Sequence, residues 1–139
     1  MTDKKQPTAE EYFYKAGEAF AQENFHKAIT FYEKSLKICP DNVSSLINMG
    51  FSYAKLGKYE EAIQCYDNGL ELDTYVEHFL FNKAMAFFWM EKYNDAIRIY
   101  HELLDRSPNY INAWSNMGVT YDYLDKYKEA LECYEAALN

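Results

Sequence analysis

Apolar and small residues recur along the chain at the spacing of amphipathic helices. One stretch runs from residue 46 to residue 70, with these residues at Leu46, Met49, Gly50, Tyr53, Tyr59, Ala62, Ile63, Tyr66 and Leu70. Intervals of three and four positions place such residues on one face of a helix. Turn residues such as Gly57 and Pro108 separate the stretches. The pattern predicts eight helices in four pairs, at 9–22 with 25–38, 43–56 with 59–72, 77–90 with 93–106, and 111–124 with 127–138.

Two of the predicted helix starts carry the residues of a capping box. In this motif a Ser or Thr hydroxyl accepts a hydrogen bond from a first-turn amide, and a Glu three positions later reaches back to the cap amide. Thr8 and Glu11 have this spacing, and so do Thr74 and Glu77. We therefore expect both threonines to cap helices.

The same residue types return along the chain at one constant interval, here called the repeat period. Three columns recur at this interval: Ala28, Ala62, Ala96 and Ala130; Phe25, Tyr59, Tyr93 and Tyr127; and Tyr32, Tyr66, Tyr100 and Tyr134. A fourth column of small residues, Gly50, Ala84 and Gly118, would let two helices approach closely. We place Gly17 in this column, one residue out of phase, because we expect a shorter first turn around Glu23 and Asn24. A period of about 34 residues predicts a stack of helix pairs.

These columns resemble the tetratricopeptide repeat, a helix-turn-helix with the pattern W-x2-L-G-x2-Y…A-x3-F…P. The fourth repeat shows the pattern most fully, at Trp114, Met117, Gly118, Tyr121, Ala130 and Tyr134. Thr74 stands where a closing proline is expected, and Lys83 with Ala84 replaces the Leu-Gly pair. The resemblance implies an all-α fold, a right-handed α-solenoid of four tandem repeats. It implies a flexible segment at 1–8 and a single domain at 9–139, with repeats at about 10–42, 43–76, 77–110 and 111–139.

Charge and cysteine content narrow the function. The chain has 14 Lys and Arg against 22 Asp and Glu, a net charge of −8, which opposes binding to the phosphates of nucleic acid. The longest purely apolar run, residues 84–90, is far shorter than the roughly 18 residues that cross a bilayer. Cys39, Cys65 and Cys133 are odd in number and form no C-x-x-C pair, so we expect unpaired thiols in a cytoplasmic protein.

No sequence pattern indicates catalysis. His26, His78 and His101 fall at unrelated points of the repeat, so they form no ligand pair and no nucleophile-base pair on one helix. The sequence contains neither the phosphate-binding glycine motifs nor the nucleophile-elbow motif. It therefore predicts no catalytic residue, no metal and no cofactor.

The resemblance places the binding surface on a concave face lined by the first helix of each repeat. On this face we predict that a protein or peptide segment is bound by Asn48, Phe51, Lys55, Phe81, Asn82, Met85, Phe88, Trp89, Asn112, Asn116 and Tyr123. Asn48, Asn82 and Asn116 recur at the repeat period and form a ladder of amides, whose donors and acceptors suit a peptide backbone. In the alternative interpretation, these side chains tie neighbouring helices together or face water.

Three consecutive large apolar residues indicate where a partner side chain is anchored. Phe87, Phe88 and Trp89 span about 200° of a helix, so they cannot all point into one core stripe. We expect Phe87 in the core and Trp89 or Phe88 on the binding surface.

One subclass of the family grips the C-terminal carboxylate of heat-shock chaperones with Lys and Asn side chains. The corresponding positions here hold Tyr14 and Glu18, then Asn48, then His78 and Asn82, and only Asn48 agrees. A desolvated carboxylate would have no charge partner at these positions, so binding of a chaperone tail is disfavoured.

We interpret the chain as a non-catalytic protein-protein interaction module, a scaffold or co-chaperone-like adaptor whose partner brings apolar anchors. The alternative is a structural element that self-associates into a homo-oligomer through Leu131, Tyr134 and Leu138 of the last helix. These residues occupy phases that pack against a following repeat elsewhere in the chain. A second copy covers them, either end to end as a two-fold dimer or in a continued stack, unless the chain is a fragment from which a following helix has been removed. In the alternative interpretation, the helix frays at its end and tolerates their exposure. An enzyme would need a catalytic group from a partner or another domain.

Overall fold

The computed structural model describes residues 5–139, which form eight α-helices and no strand. The helices are α1 (Ala9–Ala21), α2 (Phe25–Ile38), α3 (Val43–Lys55), α4 (Tyr59–Leu70), α5 (Val76–Trp89), α6 (Tyr93–Arg106), α7 (Ile111–Tyr123) and α8 (Tyr127–Leu138). Each end lies within two residues of the bound predicted from the hydrophobic pattern. The predicted all-α class, with eight helices in four helix-turn-helix pairs, is confirmed.

The chain divides into two units. Unit 1 ends at Thr74 and contains α1 to α4, and unit 2, Tyr75–Asn139, contains α5 to α8. Within each unit, consecutive helices pack on one another. Of the segment predicted to be flexible, residues 1–4 lie outside the described residues, and residues 5–8 precede α1. A single domain over 9–139 stays a prediction.

The two predicted capping boxes have different outcomes. The Thr8 hydroxyl accepts from the Glu11 amide at 3.1 Å, which confirms Thr8 as the N-cap of α1. The prediction for Thr74 is wrong, because the N-cap of α5 is Tyr75, in a left-handed conformation with φ 51° and no side-chain cap. Glu77 is engaged elsewhere, since its carboxylate accepts from the Ser107 hydroxyl at 3.2 Å.

The repeated columns form the contact between the two helices of each pair. The column of alanines is buried throughout, and Tyr32, Tyr66 and Tyr100 are at most 2% exposed. At Gly118 an added Cβ would come within 2.6 Å of Cε1 of Tyr134, and at Gly50 it would overlap the Tyr66 ring. The prediction that small residues permit close helix approach is therefore confirmed at both glycines.

The assignment of Gly17 to the small-residue column is wrong. Ala16, which lies one repeat period before Gly50, is fully buried, and a Cβ added at Gly17 would meet nothing within 4 Å. The first turn is not shorter either, because α2 and α4 begin one repeat period apart, at Phe25 and Tyr59. The column is therefore in register in all four repeats.

Each helix pair turns through one residue in the left-handed conformation. These residues are Glu23, Gly57, Glu91 and Asp125, with φ of 58°, 75°, 60° and 58°, and they recur at the repeat period. Only glycine adopts this conformation without a steric cost. At Gly57 the sequence signals the turn directly, whereas Glu23, Glu91 and Asp125 adopt the same conformation without that signal.

Candidate peptide-binding site

An open pocket of about 90 Å³ lies in unit 2 among α5, α6 and α7. It is lined by Met85, Phe88, Trp89, Tyr100, Asn116 and Val119. Four of these were predicted as peptide-binding residues: Met85, Phe88, Trp89 and Asn116. In the sequence, Tyr100 belongs only to the repeated tyrosine column. Its place in the pocket wall depends on the packing of α6 against α5 and α7, which the sequence pattern does not show.

An aromatic cluster forms one wall of this pocket and extends over the surface of unit 2. The Phe88 ring lies at its centre, with ring centroids 5.3 Å from Trp89, 5.5 Å from Tyr93 and 5.1 Å from Tyr123. All three pairs are edge-to-face, a favourable geometry for aromatic rings. Trp89 is 58% and Tyr123 60% exposed. The cluster therefore presents an apolar surface to solvent.

Asn116 supplies the polar group of the pocket. Its side chain is hydrogen-bonded to Tyr100, whose pKa is raised because burial of the hydroxyl outweighs this bond. Asn48 is placed in the same way in unit 1, where its Nδ2 donates to Tyr32 Oη at 3.1 Å. At these two positions the amides do tie neighbouring helices together. An amide carries two N–H donors and an acceptor oxygen, so one such bond leaves capacity for a ligand.

Unit 1 has a related but less apolar surface at the positions two repeat periods earlier. Phe20 is at the position of Phe88, and its ring centroid lies 5.9 Å from Phe25 and 5.6 Å from Phe51. The Lys55 ammonium lies 5.3 Å from the Phe51 ring centroid, in cation–π geometry. The positions of Met85 and Trp89 are taken here by Gly17 and Ala21, so the two main walls of the pocket are missing.

The remaining predicted residues lie around these two surfaces. Phe81 is half-buried, with its ring centroid 5.6 Å from Tyr110 and 6.2 Å from Tyr100. Asn82 is half-buried and Asn112 is exposed. Phe87, which we expected in the core, is half-buried, as is Phe88, and Trp89 is the most exposed of the three.

The last helix exposes two of the three residues predicted for self-association. Leu131 is 58% and Leu138 87% exposed, whereas Ile97 and Leu104, at the same repeat positions in α6, are 8% and 6% exposed. Tyr134 does not share their exposed face. Its ring packs against Gly118, and its hydroxyl donates to Asp122 Oδ2 at 2.7 Å.

The three cysteines are free thiols in different environments. Burial raises the pKa of the Cys65 thiol to about 12 and that of the Cys133 thiol to about 11. Cys39 is half-buried, and its Sγ donates to the Asp41 carboxylate at 3.3 Å, which raises its pKa as well.

The native chain should therefore show one accessible thiol. At about pH 8 we expect a chromogenic disulfide reagent to modify Cys39 first, because only exposed thiols meet the reagent readily. Denaturant without reductant should reveal all three thiols. Fast modification of three thiols in the native chain would contradict the burial of Cys65 and Cys133, and fewer than three after denaturation would indicate a disulfide.

The part of the chain that the structure describes holds neither a metal-ligating cluster nor a membrane-spanning helix. Residues 5–139 contain no group of three or more His, Cys, Asp or Glu side chains that could hold a metal ion. Within the same range, every helix is too short or too polar to span a membrane.

Family models cover most of the chain. Models described as "Tetratricopeptide repeat" match residues 43–73 and 75–139, and a model described as "TPR repeat" matches 20–57. The chain belongs to the tetratricopeptide repeat family. Members of this family are generally non-enzymatic. This chain is a protein-interaction module of the family. A comparison with curated protein sequences found no significant match.

Solved structures with the same fold include several MamA proteins. One MamA structure is 25% identical, with a TM-score of 0.82 over 94% of this chain and 71% of MamA. MamA from Desulfovibrio magneticus RS-1 is 17% identical, with a TM-score of 0.84 over 94% of this chain and 73% of that one. The first tetratricopeptide domain of Spaghetti (RPAP3), bound to the HSP90 peptide SRMEEVD, is 22% identical. Its TM-score is 0.76 over 85% of this chain and 94% of that domain.

Proposed function

We propose that this tetratricopeptide repeat protein binds a segment of a partner protein, and that the pocket of unit 2 takes one apolar side chain of that segment. The observation that carries the proposal is the exposure of large apolar groups around an open pocket. Trp89 is 58%, Tyr123 60% and Val119 38% exposed. Soluble proteins seldom leave such groups together in water unless the surface binds something.

The size of the pocket favours a single side chain over a small-molecule ligand. Pockets that enclose small molecules usually measure about 300–1,000 Å³, whereas this one measures about 90 Å³. A volume of that order suits an aliphatic side chain such as Leu or Met. Burying one such side chain contributes about 1.5–3 kcal/mol, which fits a partner anchored at one or two points.

Asn116 is suited to hold the backbone of the bound segment. Its amide lies at the pocket beside Met85 and Val119, and its bond to Tyr100 orients it. An extended segment has a backbone N–H and C=O next to each side chain, and an amide complements both groups. We therefore assign Asn116 the contact to the backbone next to the anchor, and Asn48 and Asn82 equivalent contacts at their own repeats.

The electrostatic character of these surfaces supports a partner other than a chaperone tail. The RPAP3 domain carries the peptide SRMEEVD, which ends in a carboxylate and is rich in acid. In this chain Tyr14 and Glu18 stand at the first positions where the chaperone-binding subclass has its gripping side chains, and both are exposed.

Free thiols at all three cysteines fit a reducing compartment such as the cytoplasm. The proposed role is binding alone, without a catalytic step.

The proposal is tested by selecting ligands for the chain from a display library of random peptides. We expect the selected peptides to share an apolar residue, and Trp89→Ala to weaken their binding by about 1–3 kcal/mol, or about 5- to 150-fold in Kd. Ile38→Ala is the matched control, because Ile38 is 55% exposed and lies on α2 of unit 1. It should leave Kd unchanged. The peptide SRMEEVD should bind at least about tenfold more weakly than the selected peptides.

Equal binding of the selected peptides to wild type and Trp89→Ala would refute the proposed site. Circular dichroism distinguishes this result from a folding defect. Since Trp89 is largely exposed, we expect its truncation to leave helicity and Tm nearly unchanged.

A further inference from the structure

We propose that copies of this chain associate head to tail, with the exposed face of α8 in one copy docked on the outer face of α1 and α2 in the next. The proposal involves surfaces separate from the pocket of unit 2, so it stands or falls independently of the proposed peptide binding. The donor surface, here called the α8 face, consists of Leu131, Glu135 and Leu138. The acceptor surface, here called the α1–α2 face, is built around Lys15 and Phe31.

The α8 face combines apolar and acidic groups. Leu131 and Leu138 are largely exposed, and the exposed Glu135 lies between them at helical spacing. Residues four and seven positions apart share one side of a helix. In α6 the equivalent residues Ile97 and Leu104 are covered, and α7 is the next helix packed on α6. The α8 face is therefore a surface whose counterpart on α6 is covered by the following helix.

The α1–α2 face contains a concave site of about 360 Å³. It is lined by Lys15, Glu18, Ala19, Gln22, Lys27 and Phe31. The ammonium groups of Lys15 and Lys34 lie 5.8 and 5.7 Å from the Phe31 ring centroid. The site thus has an apolar floor, around which Lys15, Lys27 and Lys34 outnumber the single carboxylate of Glu18, although the chain as a whole carries a net charge of −8.

The repeat indicates which side chain fits this concave site. Its residues Lys15, Ala19, Gln22 and Phe31 correspond, one repeat period later, to Met49, Tyr53, Leu56 and Cys65. In unit 1 those four residues belong to one apolar cluster that also contains Ile29 of the preceding helix. Leu131 is at the repeat position of Ile29, three periods later. If a second copy continues the repeat pattern, Leu131 packs on its α1–α2 face. It then takes the place that Ile29 takes in the apolar cluster of unit 1.

The repeat position of Glu135 makes polar contacts elsewhere in the chain. Glu33 of α2 and His101 of α6 occupy this position, and each contacts the first helix of the next repeat. The Tyr53 hydroxyl donates to Glu33 at 3.1 Å, and His101 Nε2 lies 3.4 Å from the Tyr121 hydroxyl.

Tyr53 and Tyr121 correspond to Ala19, which is too short to reach Glu135. The cation one helical turn before Ala19 is Lys15, which stands where the second and fourth repeats have methionine. Glu135 of one copy therefore faces Lys15 of the next. Charge complementarity of this kind selects the partner and the orientation of docking.

Sedimentation of the full chain tests the proposal, with two variants that each block one face. Lys15→Glu with Lys34→Glu blocks the α1–α2 face, and Leu131→Glu blocks the α8 face. All three side chains are exposed, so both variants should keep wild-type helicity. We expect the mass of wild type to rise above 16.4 kDa with concentration and to continue past the dimer, because a head-to-tail contact leaves one free face at each end.

Each blocked variant alone should stay monomeric, and an equimolar mixture of the two should form a dimer and nothing larger. The reason is that the mixture contains one intact α8 face and one intact α1–α2 face. Ile38→Glu serves as the control and should associate like wild type. If the Leu131→Glu variant loses helicity, Leu138→Glu replaces it.

Two results would overturn the proposal. Wild type that stays monomeric up to about 1 mM shows that the faces do not bind one another. Dimerisation of the Lys15→Glu/Lys34→Glu variant by itself shows that two α8 faces pair symmetrically instead.

Discussion

Above about pH 10 the chain is expected to unfold cooperatively, with a loss of about 4 kcal/mol in free energy of unfolding for each further pH unit. Burial raises the pKa of the Tyr66 and Tyr100 hydroxyls well above the ordinary value of 10. In the unfolded chain these tyrosines lose their protons near pH 10, while in the folded chain they keep them. The folded state then holds more protons than the unfolded one, so stability falls as pH rises.

The size of the effect follows from the number of protons. One proton of difference corresponds to about 1.4 kcal/mol per pH unit, so the two buried tyrosines and the buried Cys65 thiol together give about 4 kcal/mol. Burial of the Cys65 thiol, which raises its pKa from 9 to about 12, acts in the same direction and begins near pH 9. Below that pH these groups are protonated in both states, and their contribution to stability is constant.

Far-ultraviolet circular dichroism and the absorbance of tyrosinate should therefore change together during an alkaline titration. Tyr100→Phe provides the matched variant, because it removes one titrating hydroxyl and keeps the ring. Its stability should fall less steeply with pH, by about 1.4 kcal/mol per unit. The burial argument fails if all tyrosines ionise while the helical signal is intact.

Gly50→Ala is expected to lower the free energy of unfolding by about 1–3 kcal/mol, the usual cost of inserting a methyl group into a packed interior. The added methyl would overlap the Tyr66 ring, which is only 2% exposed and cannot swing into solvent. Gly118→Ala should cost less. There the methyl would lie 2.6 Å from Tyr134, whose ring is half-buried and has room to move.

Gly17→Ala is the matched control within the same chain. It is also a glycine in a first helix, but a Cβ at this position would meet nothing within 4 Å. Alanine favours the helix over glycine by about 0.8–1.0 kcal/mol, so this variant should be more stable than wild type. Chemical denaturation of the three variants measures the contrast. If all three substitutions stabilise the chain, the glycines are not needed for the close approach of the helix pairs.

The sequence by itself determined the class of fold and the positions of the helices. The repeated columns and the three- and four-residue intervals of apolar positions are local signals, and they located every helix end within two residues. The caps were only partly predictable. Thr8 caps α1, whereas α5 begins after Tyr75 in a left-handed conformation, with Glu77 bonded to Ser107, thirty positions away along the chain. A local motif cannot anticipate such a distant partner.

The binding surface could be predicted as a set of residues, and only the tertiary structure decided how they are arranged. Helical spacing showed that Phe87, Phe88 and Trp89 cannot all be buried, because they point in different directions. Which of them remains exposed depends on neighbouring helices: Tyr93 and Tyr123 pack against Phe88, while Trp89 stays 58% exposed. Tyr100 completes the pocket from α6.

The contrast between α6 and α8 has the same origin. Leu131 and Leu138 share their sequence pattern with Ile97 and Leu104, yet the first two are exposed and the last two are buried. Burial is a property of what packs against a residue, so the repeat pattern specifies which side chains are able to pack, and only the tertiary structure reveals which of them are covered.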